Sequence, residues 1–340
     1  MPDHTSEFLN QLRARLTGNW RQDAALLQAE VERRTHDRET IRAVAQLMQT
    51  VLPGDQRRLL VRALCQDPDY CEAVLDEADR LIAAGDPAQA LRDLEPLQEA
   101  EEVFMSDTRT VYLAFDNELQ LAYYRARHPG SAQVRIPAFP FNRFYRLYVQ
   151  ALARLGTLPS CLGVCHRALV RNPLFADILV LRAQVCRRLG DLEGAREALA
   201  RALPMQYRAA GLAHYFREAA ELLAAERDGD AAHAAPHASN HWLPTDAAAT
   251  IAARLEAAGT PAPAAADTPA AWSRILRDSD VLWEQNLAWC DIADRVAETA
   301  TAAADYSTAG LAWTVRRELT GDPDLADRIA HCRAQGGTWS

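Results

Sequence analysis

Arginines and glutamines at helical spacing are the residues of this chain best suited to binding chemistry. Between residues 142 and 209 there are eleven arginines and four acidic residues, although the whole chain has a formal net charge of −9. Within this stretch two polar sets recur at steps of three and four, the spacing of one helix face. The first set is Arg143, Arg146, Gln150 and Arg154; the second, further along the chain, is Gln184 and Arg188 with Arg187 beside them. A planar guanidinium can hold a carboxylate through two hydrogen bonds, which makes an acidic or carboxyl-terminal protein segment the candidate ligand.

The complete absence of lysine offers a second interpretation of the same arginines. All 37 basic residues are Arg. Codon bias in the genome explains this composition, and the arginine faces would then be ordinary solvated surface. Whatever its cause, the composition excludes P-loop nucleotide hydrolases, protein kinases and Schiff-base enzymes, because each of these needs a lysine amine.

Two groups of potential metal ligands are expected to have other roles. Cys161, Cys165 and His166 lack a second ligand pair nearby, so core packing of the two thiols is favoured over a zinc site. His233, His237 and His241 are spaced four apart, but Pro236 interrupts the pattern. A loop without a metal is therefore expected there.

Catalytic and cofactor motifs are absent from the sequence. No nucleophile elbow, zinc-protease helix, dinucleotide-binding glycine pattern or EF-hand loop occurs. We therefore predict a protein that is not an enzyme, with no catalytic residues, cofactor or metal.

The aromatic residues are expected in the core rather than in a site. They are a first cluster of Phe139, Phe141, Phe144, Tyr145 and Tyr148, and a second group of Trp283, Trp289 and Trp313.

The composition predicts an all-α protein. Ala, Leu, Arg and Glu dominate, glycine occurs only 15 times, and period-two stretches of β-branched residues are scarce. The odd number of cysteines, seven, suits free thiols in a reducing compartment. With no apolar run of membrane-spanning length and no signal peptide at the start, we expect a cytoplasmic protein without a membrane partner.

Breaks in the helical pattern suggest the organisation of the chain. Residues 1–66 form a helical segment, and 71–257 form an array of helices with an irregular stretch at 105–141, in which Val111–Arg127 is expected to be helical and 134–136 at best extended. Residues 258–271, rich in Pro, Gly and Ala, are expected to be a flexible linker or loop, and 272–340 to be the final helices.

The middle of the chain repeats itself when Gly156 is aligned with Gly190. Leu155 then aligns with Leu189, and small or bulky apolar residues follow each glycine at matching positions. From the first glycine these are Cys161, Cys165, Ala168 and Pro173; from the second they are Ala195, Leu199 and Ala202. Further copies follow Gly85-Asp86 and Asp305-Tyr306, and a degenerate copy follows Gly229-Asp230. Each copy indicates two helices joined by a tight turn and packed closely where the residues are small.

This pattern resembles the tetratricopeptide repeat, as found in bacterial proteins, whose length of about 34 residues matches the separation of the two glycines. The resemblance implies a right-handed superhelical solenoid of antiparallel helix pairs that binds an extended peptide or a partner helix in its concave groove. It also implies that the arginine and glutamine faces line that groove. The lysine and asparagine clamp of the family's carboxylate-binding members does not occur in this sequence.

Three functions stay open at this point, and the leading one is a protein–protein interaction scaffold. A peptide-sensing regulatory protein is the second, suggested by the distinct segment 1–66. A nucleic-acid-associated protein is less favoured, because no stacking residues recur at fixed positions. The sequence leaves the identity of the partner and the oligomeric state open.

Overall fold

The computed structural model describes residues 4–33, 38–130, 132–259, 268–281 and 287–339. It is helical over most of its length, with adjacent helices packed in pairs, which confirms the all-α prediction except for two short strands. By its internal contacts the chain divides into two compact units, residues 1–114 with 132–157 and residues 115–131 with 158–340.

The first unit contains the amino-terminal helices and one helix that returns after a gap in the sequence. Its helices are α1 (His4–Arg15), α2 (Trp20–Arg33), α3 (Arg38–Val51), α4 (Gly54–Leu64), α5 (Pro68–Ala84), α6 (Pro87–Leu94), a 3-10 helix (Glu95–Glu99), α7 (Ala100–Val103) and α9 (Phe141–Arg154). The strands are β1 (Thr110–Tyr112) and β2 (Gln133–Arg135), which pair in parallel with Val111 opposite Val134. Helix α9 packs against α5 and α6.

The second unit contains the remaining helices. These are α8 (Glu118–Arg127), α10 (Leu158–Arg171), α11 (Ala176–Arg188), α12 (Leu192–Ala202), a 3-10 helix (Leu203–Met205), α13 (Ala209–Ala225), α14 (Gly229–Trp242), α15 (Asp246–Ala257), α16 (Pro269–Asp278), α17 (Ala288–Ala302), α18 (Tyr306–Thr320) and α19 (Leu325–Ala334). The most extensive packing is between α11 and α12, between α13 and α14, and between α17 and α18.

One kind of turn joins the helices of these pairs. After α11, Gly190 has a left-handed backbone (φ 80°), and the Asp191 amide donates to the Cys186 carbonyl at 2.9 Å. The Asp191 side chain then caps α12 by accepting from the Gly194 amide at 2.9 Å. These bonds satisfy groups that a helix end leaves unpaired, and they reverse the chain within two residues.

The same turn recurs at three further places. A left-handed residue is followed by a capping aspartate at Gly85-Asp86, Arg227-Asp228 and Ala304-Asp305. The residue five positions after the left-handed one is small and fully buried in each copy and also after Gly156; these residues are Ala90, Cys161, Ala195, Ala232 and Ala309. At Ala90, Ala195, Ala232 and Ala309 the small side chain allows the two paired helices to approach closely.

The degenerate copy expected at Gly229-Asp230 is in the wrong register. Its turn lies two residues earlier, because Asp228 caps α14 through the Ala231 amide, and Gly229 and Asp230 already belong to the first helical turn. Arg227 occupies the left-handed position (φ 66°), where a glycine was expected.

Two predictions of local structure are also wrong. The helix expected from Val111 begins only at Glu118, because Val111 pairs with β2 and the Asn117 side chain caps α8 through the Gln120 amide. The stretch with His233, His237 and His241 is not a loop but lies within α14, with Pro236 inside the helix. Proline removes one backbone hydrogen bond there, and the packing of α14 against α13, α15 and α16 offsets this loss.

The aromatic residues lie in the core, as expected. All five members of the cluster Phe139, Phe141, Phe144, Tyr145 and Tyr148 are buried, as are Trp289 and Trp313. In the first unit the Tyr145 hydroxyl donates to a Glu101 carboxylate oxygen at 3.0 Å. Trp283 lies outside the described residues.

The expected linker 258–271 is described only at its ends. Residues 260–267 are outside the described part of the chain, and Pro269–Ala271 form the start of α16, which Thr268 caps through the Ala271 amide. No helix among the described residues is long and apolar enough to cross a membrane.

Candidate binding site

The arginine face of α9 lies in the first unit, and its first arginine is already paired. The Arg143 guanidinium contacts carboxylates of two residues one turn apart on α5, Glu72 and Asp76, the second at 2.6 Å. Both acids raise the pKa of Arg143, while burial opposes them. Because this guanidinium is held between two carboxylates of its own unit, it is not available to an acidic ligand.

The rest of the α9 face is open to solvent. Arg146 and Arg154 are exposed, and Gln150 between them is half-buried. Within the described residues neither of these arginines forms an ion pair. Their charges are therefore available to a ligand.

In the second unit the matching face of α11 meets α13. The Gln184 side-chain nitrogen lies 3.4 Å from His214 Nε2, and Arg187 Nε donates to a Glu218 carboxylate oxygen at 2.8 Å. The Glu218 side chain is only 4% exposed and that of Arg187 is 25% exposed. Two of the predicted residues, Gln184 and Arg187, thus belong to one half-buried polar network.

The network extends to a third helix. The Glu221 carboxylate, one turn after Glu218, lies 3.8 Å from Arg187 and also contacts Arg254 of α15. Helices α11, α13 and α15 thereby share a surface on which each acid of α13 is matched by an arginine. We call Gln184, Arg187, His214, Arg217, Glu218, Glu221 and Arg254 the polar face.

Burial shifts the pKa of two groups on the polar face, Glu218 and His214. It raises the pKa of Glu218, and the adjacent Arg187 guanidinium partly counteracts this. Burial also lowers the pKa of His214, helped by the positive charge of Arg217 and opposed by Asp177. Neutral His214 can accept through Nε2 from the Gln184 amide, which agrees with the observed distance.

Arg217 differs from the other cations of the polar face. It is half-buried, and burial lowers its pKa with no carboxylate acting in the opposite direction. Among the residues that the structure describes, Arg217 forms no ion pair. It can therefore provide a positive charge to a ligand at this face.

Arg188 does not join the polar face. It is exposed, and its charge acts on the Cys161 thiol of α10, whose pKa burial raises and Arg188 lowers. It has no ion-pair partner in the described part of the chain. Of the seven predicted residues, three arginines thus keep an unpaired charge: Arg146, Arg154 and Arg188.

Sequence reasoning missed the α13 half of the polar face. A second shift by the same repeat length places Gln184 on Glu218 and Arg187 on Glu221, and Val180 on His214. The repeat spacing predicts these positions, but they were not recognised because an amide and a guanidinium are replaced by carboxylates. The turn after α13 is also three residues further on than a strict repeat allows, at Arg227 rather than position 224.

All seven cysteines are buried free thiols, as expected. Among the described residues, no three His, Cys, Asp or Glu side chains lie close enough together to hold a metal ion. Cys161 and Cys165 are fully buried, and burial raises the pKa of Cys165 to about 12. A thiol with such a pKa is neutral near pH 7 and acts as a small apolar side chain.

No protein-family model matches the chain, and no curated protein matches it in sequence.

Proposed function

We propose that the protein is a non-enzymatic scaffold of tetratricopeptide-like helix pairs that binds an extended peptide or a helix of a partner protein. The observation that carries the proposal is the polar contact between the first helices of two successive pairs. Gln184 and Arg187 of α11 contact His214 and Glu218 of α13, and these helices begin pairs built around the same capped turn. Such a build presents polar side chains of several helices side by side, which suits an elongated ligand.

The unpaired arginines specify the charge of that ligand. Arg143 and Arg187 are neutralised by carboxylates of their own units, whereas Arg146, Arg154 and Arg188 are exposed without such partners in the described residues. An acidic segment can form charge-assisted hydrogen bonds with Arg146 and Arg154 on α9 of the first unit, and Arg188 on α11 of the second unit offers a separate contact. The acidic-partner hypothesis therefore rests on Arg146 and Arg154, and Arg143 and Arg187 have a structural role.

Binding of a labelled acidic peptide tests the proposal. The probe is an acetylated decapeptide of alternating Glu and Ala, and fluorescence anisotropy measures its dissociation constant. Replacing Arg146 and Arg154 with Ala together is expected to weaken binding roughly fivefold or more, since each charged contact contributes on the order of 0.5 kcal/mol or more. The control replaces two exposed arginines elsewhere, Arg201 and Arg317, and removes the same net charge.

Equal weakening by both double variants would show that only net charge matters, and would refute a specific binding face on α9. If the wild-type protein does not bind the peptide, the hypothesis of an acidic ligand is refuted.

A further inference from the structure

A cleft in the second unit, separate from the polar face, has the size of a small-molecule site. It lies between α8 and α17, next to the start of α18, and has a volume of about 600 Å³. Its lining includes Ala122 and Ala126 of α8 and Val296 and Ala300 of α17. Ligand sites in proteins commonly have volumes of about 300–1,000 Å³ and mainly apolar walls.

The walls of the cleft are held in place by aromatic packing. Tyr123 of α8 stacks on Trp289 of α17 with ring centroids 3.9 Å apart, and the Arg127 guanidinium carbon lies 3.9 Å from the centroid of the Tyr123 ring. Trp289 also packs against Tyr207, and its Nε1 donates to the Pro204 carbonyl at 3.1 Å. Because both rings are buried and fixed, the cleft is formed before any ligand binds.

Each wall also contributes an arginine to the cleft. Arg125 of α8 and Arg295 of α17 are exposed, and within the described residues neither forms an ion pair; Arg295 Nε only contacts the Asp291 carbonyl, at 3.4 Å. Two acids line the same cleft, and both complement helix amino ends. Glu118 lies in the first turn of α8, and Asp305 caps α18 through the Thr308 amide at 3.1 Å. The cations have no such local partner.

We propose that this cleft binds an amphipathic anion, an apolar chain carrying one carboxylate. The alanine and valine side chains would contact the chain, and the guanidinium groups of Arg125 and Arg295 would hold the carboxylate at the edge. A neutral chain of the same length would gain the apolar contacts without the charge-assisted bonds. The site is independent of the peptide-binding face proposed above, so either can fail without the other.

Isothermal titration with decanoate, decanol and decyltrimethylammonium tests the site on the full chain. Decanoate is expected to bind with a stoichiometry of one, roughly tenfold or more tighter than decanol, and the cation not to bind. Arg125→Ala/Arg295→Ala should bring decanoate to the affinity of decanol and leave decanol unchanged. The matched control, Arg201→Ala/Arg317→Ala, should change neither affinity.

A second variant tests the position of the chain. Ala126 lines the cleft but is exposed, so Ala126→Trp fills the space without overpacking the core. It should abolish binding of both decanoate and decanol while the circular dichroism spectrum stays that of the wild type. Decanoate binding that survives Ala126→Trp, equals that of the cation, or is unaffected by loss of both arginines would overturn the proposal.

Discussion

The faces of α9 and α11 have nearly the same sequence spacing but use their arginines differently. On α9 the paired arginine is Arg143, near the amino end, and its acids Glu72 and Asp76 have side chains 38% and 64% exposed. On α11 it is Arg187, near the carboxyl end, and its partner Glu218 is 4% exposed. The two guanidinium groups are similarly exposed, at 26% and 25%, so the two sites differ in the burial of their acids.

Helical spacing alone therefore does not distinguish a ligand-binding arginine from a structural one. The neighbouring helix decides, because it either supplies a carboxylate or leaves the guanidinium to solvent. At the matched positions Arg154 and Arg188 the neighbour supplies none among the described residues. We therefore expect ligand binding at the arginines without a carboxylate partner, and a contribution to the stability of the fold from Arg143 and Arg187.

The largest expected effect is the loss of stability when Arg187, the partner of the buried Glu218, is removed. Arg187→Ala leaves Glu218 buried without its cation, and we expect the free energy of unfolding in urea to fall by roughly 2–4 kcal/mol. Arg143→Ala leaves two solvated acids, and the expected loss is about 0.5–1 kcal/mol. Arg201→Ala, an exposed arginine on α12, is the control. Similar losses in the free energy of unfolding for the two variants would contradict the difference between the two ion pairs.

A smaller effect is expected at the turns that follow the two helices. Asp191 accepts a capping bond from the Gly194 amide after α11, whereas after α9 the Thr157 hydroxyl donates to the Leu152 carbonyl instead. Asp191→Ala should lower the free energy of unfolding by about 1 kcal/mol. Glu193→Ala, which removes an exposed acid of the same helical turn, controls for charge. If both changes cost the same, the cap does not stabilise the α11–α12 pair.

The smallest effect is a pH dependence confined to the α11–α13 surface. Burial lowers the pKa of His214 below its ordinary 6.5, so the neutral form stabilises the fold above pH 6.5, and this contribution is lost as the pH falls through the lowered value. His214→Gln should therefore flatten the decline in melting temperature between pH 7.5 and about 5.

Two successive shifts by the repeat length relate His214 to Arg146 on α9, which provides the control. Arg146→Gln should leave the pH profile of the melting temperature unchanged, because a guanidinium stays charged throughout this range. An unaltered profile in His214→Gln would mean that this histidine is not the titrating group.

The sequence predicted the paired helices where small residues and glycine turns coincide. Gly190, Ala195 and Ala202 illustrate this, since left-handed backbone and close helix approach each demand a small residue. It failed where another residue occupies the same backbone conformation, as Arg227 does. The bonds of the turn and the cap of Asp228 compensate for the strain of that position, and composition does not reveal them.

Tertiary packing explains the other failures. Pro236 should end a helix by local rules, but α14 is buried among three helices, and its Ser239 hydroxyl donates to the Ala213 carbonyl at 3.0 Å. Val111 lies in a stretch whose sequence pattern predicts a helix, but it pairs with Val134 in a β-strand. At the candidate site, the arginine faces were predictable from spacing. The carboxylates that neutralise Arg143 and Arg187 lie on helices distant in sequence and were not.

Charge reversal of Arg146 and Arg154 tests whether the arginines of α9 bind an acidic ligand. Fluorescence anisotropy would compare two acetylated decapeptides, one alternating Glu with Ala and one alternating Arg with Ala. The wild-type protein should prefer the acidic peptide, and the Arg146→Glu/Arg154→Glu variant should prefer the basic one. A variant with an unchanged preference, or a wild-type protein that prefers the basic peptide, would contradict an arginine-lined binding face.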